Sequence, residues 1–105
     1  MSKYPSKQKQ IEEFGVWILF CGVLHRVASI EEAQRFYEGK KTHLHHYIRE
    51  QMYYRNPERF KGMQKLIMLP SDLHWDLHAG TSDATFLRDN KVERDVLLYR
   101  KRKAY

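Results

Sequence analysis

A chain of 105 residues, 42% apolar and 13% aromatic, has the material for one compact domain with a real core and little room for a second. Its single cysteine rules out a scaffold stapled by internal disulfides. Nineteen Lys and Arg against thirteen Asp and Glu leave a formal charge of +6, and a pI near 9.5 favours a polyanionic partner, either nucleic acid or an acidic membrane.

The charge is uneven. Lys3, Lys7 and Lys9 open the chain, Arg49, Arg55, Arg59, Lys61 and Lys65 form a middle group, and Arg100 to Lys103 make a basic run at the end. Solvated faces and a solubilising tail account for such charges when they stand alone.

From Ser6 to about Ala28 the pattern predicts a helix. Ile11, Phe14, Ile18 and Cys21 or Gly22 recur at three- and four-residue intervals, and Trp17 and Leu24 widen the stripe. This helix should be the hydrophobic spine of the core, with a homodimer contact as a further use of its apolar half. The run Val16 to Leu24 has nine apolar residues, counting Gly22, against the roughly 20 that a membrane-crossing helix needs. Glu12 and Glu13 before the run, and His25 and Arg26 directly after it, argue against an export signal, so a cytoplasmic protein with no membrane partner is expected. Cys21, set between Phe20 and Gly22, is expected as a buried thiol in a reducing compartment. His25 is expected at the boundary or in the core.

Ser29-Ile30-Glu31-Glu32 matches a capping box, which predicts a second, shorter helix to about Glu38, closed by Gly39. Lys41 to Ile48 alternates well enough for a short strand, while Tyr47 to Tyr54 is equally suited to begin a helix. Asn56-Pro57 marks a turn followed by a loop through Gly62. Lys65 to Leu69 reads as a second short strand ended by Pro70. Ser71 and Gly80 then cap a helix over Ser71 to Ala79. Thr81 to Asp83 reads as a loop or cap, and a last helix is predicted from Val92 to about Arg102.

Five of the six histidines fall in two compact groups, His43, His45 and His46 on the first predicted strand and His74 and His78 one turn apart on the helix. Imidazole is the commonest metal ligand and titrates near neutrality. If the two strands pair antiparallel, the strand histidines meet the helix face that carries His74 and His78. Three imidazoles can hold one divalent cation and leave positions open for water and substrate, as catalytic sites do. Neighbouring strand residues point to opposite faces, so one of His45 and His46 can coordinate while the other addresses substrate. Either histidine group alone is as readily a surface or packing feature; it is their combination with an apolar strand and cap signals that points to a metal. His43 shares the face of His45 and could replace it as ligand, or simply be exposed. Asp72 suits the first turn of its helix, and Asp76 should face away from the site. Tyr47, Tyr53, Tyr54 and Phe60 interleave with the middle basic group, where they could stack on bases or pack in the core.

Leu44-His45-His46, then Lys65-Leu66-Ile67-Met68-Leu69-Pro70, then His74-x3-His78, resembles the HNH nucleases, and most of all the His-His subgroup of colicin-type DNases and toxin nucleases named for a Leu-His-His motif. The similarity covers about Thr42 to Gly80. It implies an α+β, mostly helical single domain over 1–105, in which N-terminal helices (1–40) and a C-terminal helix with a basic tail (81–105) flank a central ββα metal motif (42–80). It implies that His45, His74 and His78 bind one divalent ion, Zn, Ni, Mn or Mg, and that His46 is the general base that takes a proton from the attacking water. The family carries an Asn nine positions before the first helix histidine; here Lys65 stands there. Lys65 is therefore expected either to contact a phosphate or to leave the Asn's role to Gln64 or Asn56. Activity on DNA with little sequence preference is implied, with RNA as the other polymer, and Arg49, Arg55, Arg59 and Lys61 as backbone contacts. The rival reading is a catalytically inactive zinc-binding module of the same fold that docks on nucleic acid or protein.

Overall fold

The computed structural model describes residues 4–79 and 94–99, with the side chains of 76–79, 94 and 95 outside that description. The C-terminal basic run, the Gly80 cap and the Thr81 to Asp83 loop lie outside the described residues, as do both ends of the predicted last helix.

Ser6 caps the first helix, α1 (Lys7–Phe14), by accepting from the Lys9 amide at 3.3 Å. The helix stops at Gly15, whose φ of 80° is left-handed and whose N–H donates to Ile11 O at 2.9 Å. A Cβ on Gly15 would also lie 2.6 Å from Nε of the exposed Arg26 side chain, which would have to move aside, so the left-handed φ is the main demand for glycine here.

Beyond Gly15 the structure departs from the expected long helix. Val16–Phe20 (β1) and Val23–Val27 (β2) form an antiparallel hairpin, with Phe20 opposite Val23 across Cys21-Gly22. Both loop residues are left-handed, at φ 52° and 79°, which is the two-residue turn whose twist matches that of paired strands. The near-continuous apolar run satisfied a helical period and a buried strand equally well. β-Branched and aromatic side chains, with a turn in the middle, decided for strands. The element expected to carry a homodimer contact is thus half helix and half hairpin. Cys21 sits exposed at the turn rather than buried, and His25 is exposed on β2 with its ring 6.2 Å from that of Phe20.

Helix α2 (Ile30–Phe36) follows its capping signal: Ser29 Oγ accepts from the Glu32 amide at 3.1 Å, and the Glu32 carboxylate accepts from the Ala28 amide at 2.8 Å. Strand β3 (Thr42–His46), helix α3 (Glu50–Arg55), strand β4 (Leu66–Pro70) and helix α4 (Ser71–Ala79) complete the expected order, and Arg94–Leu97 (α5) is a single described turn.

The sheet order is β2-β1-β4-β3, with β1 and β4 parallel at the centre and both outer pairs antiparallel. The chain is therefore an α+β domain organised around a four-stranded sheet. Both faces are covered, which explains why β4 is apolar without alternation. On one face Val16, Ile18 and Met68 pack with Ala33 of α2, and Phe14, Ile48, Tyr53, Phe60 and Leu66 continue that layer under α1 and α3. On the other face Ile67 and Leu69 pack with Leu73 of α4 and Leu97 of α5. Tyr53 and Phe60 are thus core residues, not base-stacking platforms.

No described helix is long and apolar enough to cross a membrane.

Candidate active site

Strand β3 lies at an edge of the sheet, and its register on β4 fixes where each histidine points. His43 stands opposite Leu69 and His45 opposite Ile67, so both face α4; Leu44 opposite Met68 and His46 opposite Leu66 face α1 and α3. The pairing follows from strand alternation. Helix α4 starts without a connecting loop after Pro70, and the Ser71 amide donates to Lys41 O at 3.0 Å, which ties the start of α4 to the start of β3. That tie carries His74 back over the strand histidines.

Three imidazoles meet there. His43 Nδ1 is 3.3 Å from His74 Nδ1, and the His74 ring lies 5.4 Å from that of His43 and 5.2 Å from that of His45. The contact is a hydrogen bond between the two rings, and its length also equals the roughly 3.3 Å that separates two nitrogens on one tetrahedral zinc at about 2.05 Å. His45 is 2% exposed, and its Nε2 donates to Leu97 O at 2.7 Å. Such a bond to a backbone carbonyl places the proton on Nε2 and the lone pair on Nδ1, the arrangement common among metal-binding histidines. Among the described residues no group of three or more His, Cys, Asp or Glu is set as a metal cage. His78 lies on α4, but its side chain is outside the described residues. Asp72 Oδ1 accepts from the Leu73 amide at 2.8 Å, a local helix-start bond.

His46, on the opposite face, belongs to a polar cluster drawn from three elements. Its Nε2 lies 2.8 Å from Oε1 of Gln10 on α1 and 3.5 Å from Oε2 of Glu50 on α3. Gln10 Nε2 donates to Glu50 Oε2 at 2.8 Å and to Pro5 O at 2.9 Å. Burial holds the imidazole below its ordinary pKa, opposed in part by the Glu50 carboxylate. A single pocket of about 650 Å³ reaches both sides of the β3 edge, and His43 and His74 line it together with His46, Gln10 and Glu50. Ile30, Leu44, Leu66 and Met68 contribute its apolar lining.

Gln64 and Lys65, where the resemblance leads one to expect Asn, make different contacts. The Gln64 amide is 5% exposed and brackets Ile48, accepting from its N–H at 2.8 Å and donating to its C=O at 2.7 Å. The chain leaving the His45-His46 strand is thereby clamped two residues beyond His46. Lys65 instead places Nζ 5.3 Å from the Trp17 ring centroid and 5.1 Å from that of Tyr47. Arg49, Arg55, Arg59 and Lys61 are all exposed on α3 and the segments that flank it, with the Arg59 guanidinium 5.4 Å from the Phe60 ring.

Spacing pointed to the histidines but not to Gln10 or Glu50. Glu50 stands four residues from His46, a separation without meaning across a strand end, and Gln10 is 36 residues away on a helix read as part of a longer one.

Comparison with protein-family models, with curated proteins and with solved structures finds no match.

Proposed function

We propose that the protein is a metal-dependent endonuclease of the HNH type that hydrolyses DNA phosphodiester bonds with little sequence preference. The observation that carries this reading is the convergence of imidazoles from β3 and α4 at ligand spacing, with His46 in the same pocket around the strand edge. His74 with His43 or His45, and His78 as the resemblance implies, are the residues that would hold the ion. A divalent cation in that position supplies Lewis-acid stabilisation of charge on a phosphate and lowers the pKa of bound water.

The chain's own residues do the rest. His46, kept neutral near pH 7 by burial, accepts the proton of the attacking water. The exposed Arg49, Arg55, Arg59 and Lys61 give sequence-independent contacts to the nucleic-acid backbone, so that DNA is held through phosphates rather than bases. Gln64, by bracketing Ile48, gives the support that Lys65 cannot, which weakens the argument for an inactive zinc module.

Calorimetric titration with Zn²⁺ or Ni²⁺ tests the metal half of this reading. One ion per chain, with affinity lost in His74→Ala, is the expected result. Equal affinity in His74→Ala, or no binding to the wild-type chain, refutes it.

A further inference from the structure

The polar cluster on the α1 side of β3 fixes which nitrogen of His46 works as the base. Each end of the Gln10 amide has distinguishable partners. One end meets two pure acceptors, the Pro5 carbonyl oxygen at 2.9 Å and a Glu50 carboxylate oxygen at 2.8 Å, so that end is the NH₂ group. The other end, the carbonyl oxygen, faces His46 Nε2 at 2.8 Å and can only accept. The second neighbour of Nε2, Glu50 Oε2 at 3.5 Å, is again an acceptor. Nε2 must therefore carry the proton, which leaves the lone pair of the neutral ring on Nδ1.

We infer that Gln10, held by Pro5 and Glu50, is a positioning residue that locks His46 in its Nε2–H tautomer, so that Nδ1 is the atom that accepts a proton from the attacking water. The role of the proton acceptor rests on the nuclease reading; the tautomer does not. In the step itself the water O–H bond breaks as its proton passes to Nδ1, the oxygen's electron pair forms the bond to phosphorus, and the bond from phosphorus to the leaving sugar oxygen breaks with its pair, that oxygen then taking a proton from solvent. The imidazolium that results has both N–H groups in place, with Nε2–H still on Gln10 and the Glu50 carboxylate nearby to balance the new charge.

Gln10 is 5% exposed on a helix whose other buried residue is Phe14, so its side chain was held in the protein interior by a polar task rather than left in solvent. The arrangement also gives α1 a function. It delivers the amide across 36 residues of chain to a strand that it does not adjoin in sequence.

Long-range ¹H–¹⁵N spectra of the ring nitrogens of the metal-free wild-type chain, at a pH where His46 is neutral, read the tautomer directly. A protonated Nε2 and an unprotonated Nδ1 are expected. A protonated Nδ1 overturns the proposal, whether or not the protein cleaves DNA. Gln10→Met keeps the length of the side chain and removes its three hydrogen bonds. It should give a mixture of tautomers and lower kcat at least about tenfold with KM nearly unchanged, within the roughly 10²–10⁴-fold that a positioned base contributes. A parallel rise in KM with kcat intact, or an unaltered tautomer, overturns the positioning role. Glu50→Gln keeps an acceptor for the Gln10 amide, so the Nε2–H form should persist in it; loss of that form would show that Glu50, not Gln10, selects it and would likewise count against the proposal. If the wild-type chain leaves DNA intact, the nuclease reading fails, and the spectra alone judge the tautomer.

Discussion

Replacing Gln64 by Leu tests whether Gln64, rather than its neighbour Lys65, holds the chain that leaves the His45-His46 strand. Gln64 is 5% exposed and Ile48, whose N–H and C=O it satisfies at 2.8 and 2.7 Å, is wholly buried. Leu fills the same space but leaves both backbone groups of Ile48 without this partner, and each such group costs about 1–3 kcal/mol when buried. The longer bond from the Lys65 amide at 3.1 Å is lost as well. Greater burial of apolar surface by Leu offsets part of this, so a net loss of about 3–5 kcal/mol is expected, a large share of the roughly 5–15 kcal/mol that holds a domain of this size together. Lys65→Met removes only the cationic contacts to Trp17 and Tyr47, worth about 0.5–1 kcal/mol where partly exposed. Urea unfolding checks both, with a shift of midpoint at constant slope as the signature of lost stability. Native-state exchange of the Ile48 amide should speed up in Gln64→Leu alone. A Gln64→Leu loss below about 1 kcal/mol, or a larger loss in Lys65→Met, would refute the bracket.

The hairpin turn and the tyrosines give two more tests. Cys21 holds φ 52° in a two-residue loop before Gly22; Asn tolerates that region better, so Cys21→Asn should raise stability by about 0.5–1 kcal/mol in thermal or urea unfolding, whereas a helical Cys21 would yield no gain. Burial first, then the charge of Glu13 and neighbouring groups, pushes the Tyr54 phenol up to about 12, and burial also raises Tyr53 and Tyr37. The folded state thus prefers the neutral phenol, so this stability is fully present below the unfolded pKa near 10 and is lost as pH rises toward about 12. Ultraviolet titration of the seven tyrosines should show an incomplete ionisation step in the folded chain, the remainder ionising only with unfolding; a single step at the ordinary value for all seven would contradict the packing.

Local side-chain chemistry made part of this fold legible. Ser29 and Glu32 announce α2 because their caps are made within four residues, while Ser71, expected as the cap of the next helix, is instead the first residue of α4, directly after Pro70 ends β4. The hairpin was hidden because Val16 to Leu24 is apolar on both strand faces, so no alternation survives to distinguish strand from helix. What settles it is the left-handed backbone at Gly15, Cys21 and Gly22, and glycine alone does not announce which conformation it will take. Cys21 looked buried from its neighbours and is exposed because those neighbours form a turn. At the site, His43, His45, His46 and His74 stand out by residue type and spacing. Gln10 and Glu50 do not, since an amide becomes informative only when tertiary structure gives both of its ends partners.

Cleavage of supercoiled plasmid DNA tests the proposal that the histidines on the two sides of β3 hydrolyse nucleic acid. Mg²⁺, Mn²⁺, Ni²⁺ and Zn²⁺ are supplied separately to the purified chain, beside an EDTA control and a His46→Ala variant. Metal-dependent cleavage that disappears with EDTA and with His46→Ala, while the variant still binds metal and DNA, is the predicted result. Intact plasmid with every metal, or equal cleavage by His46→Ala, would contradict it.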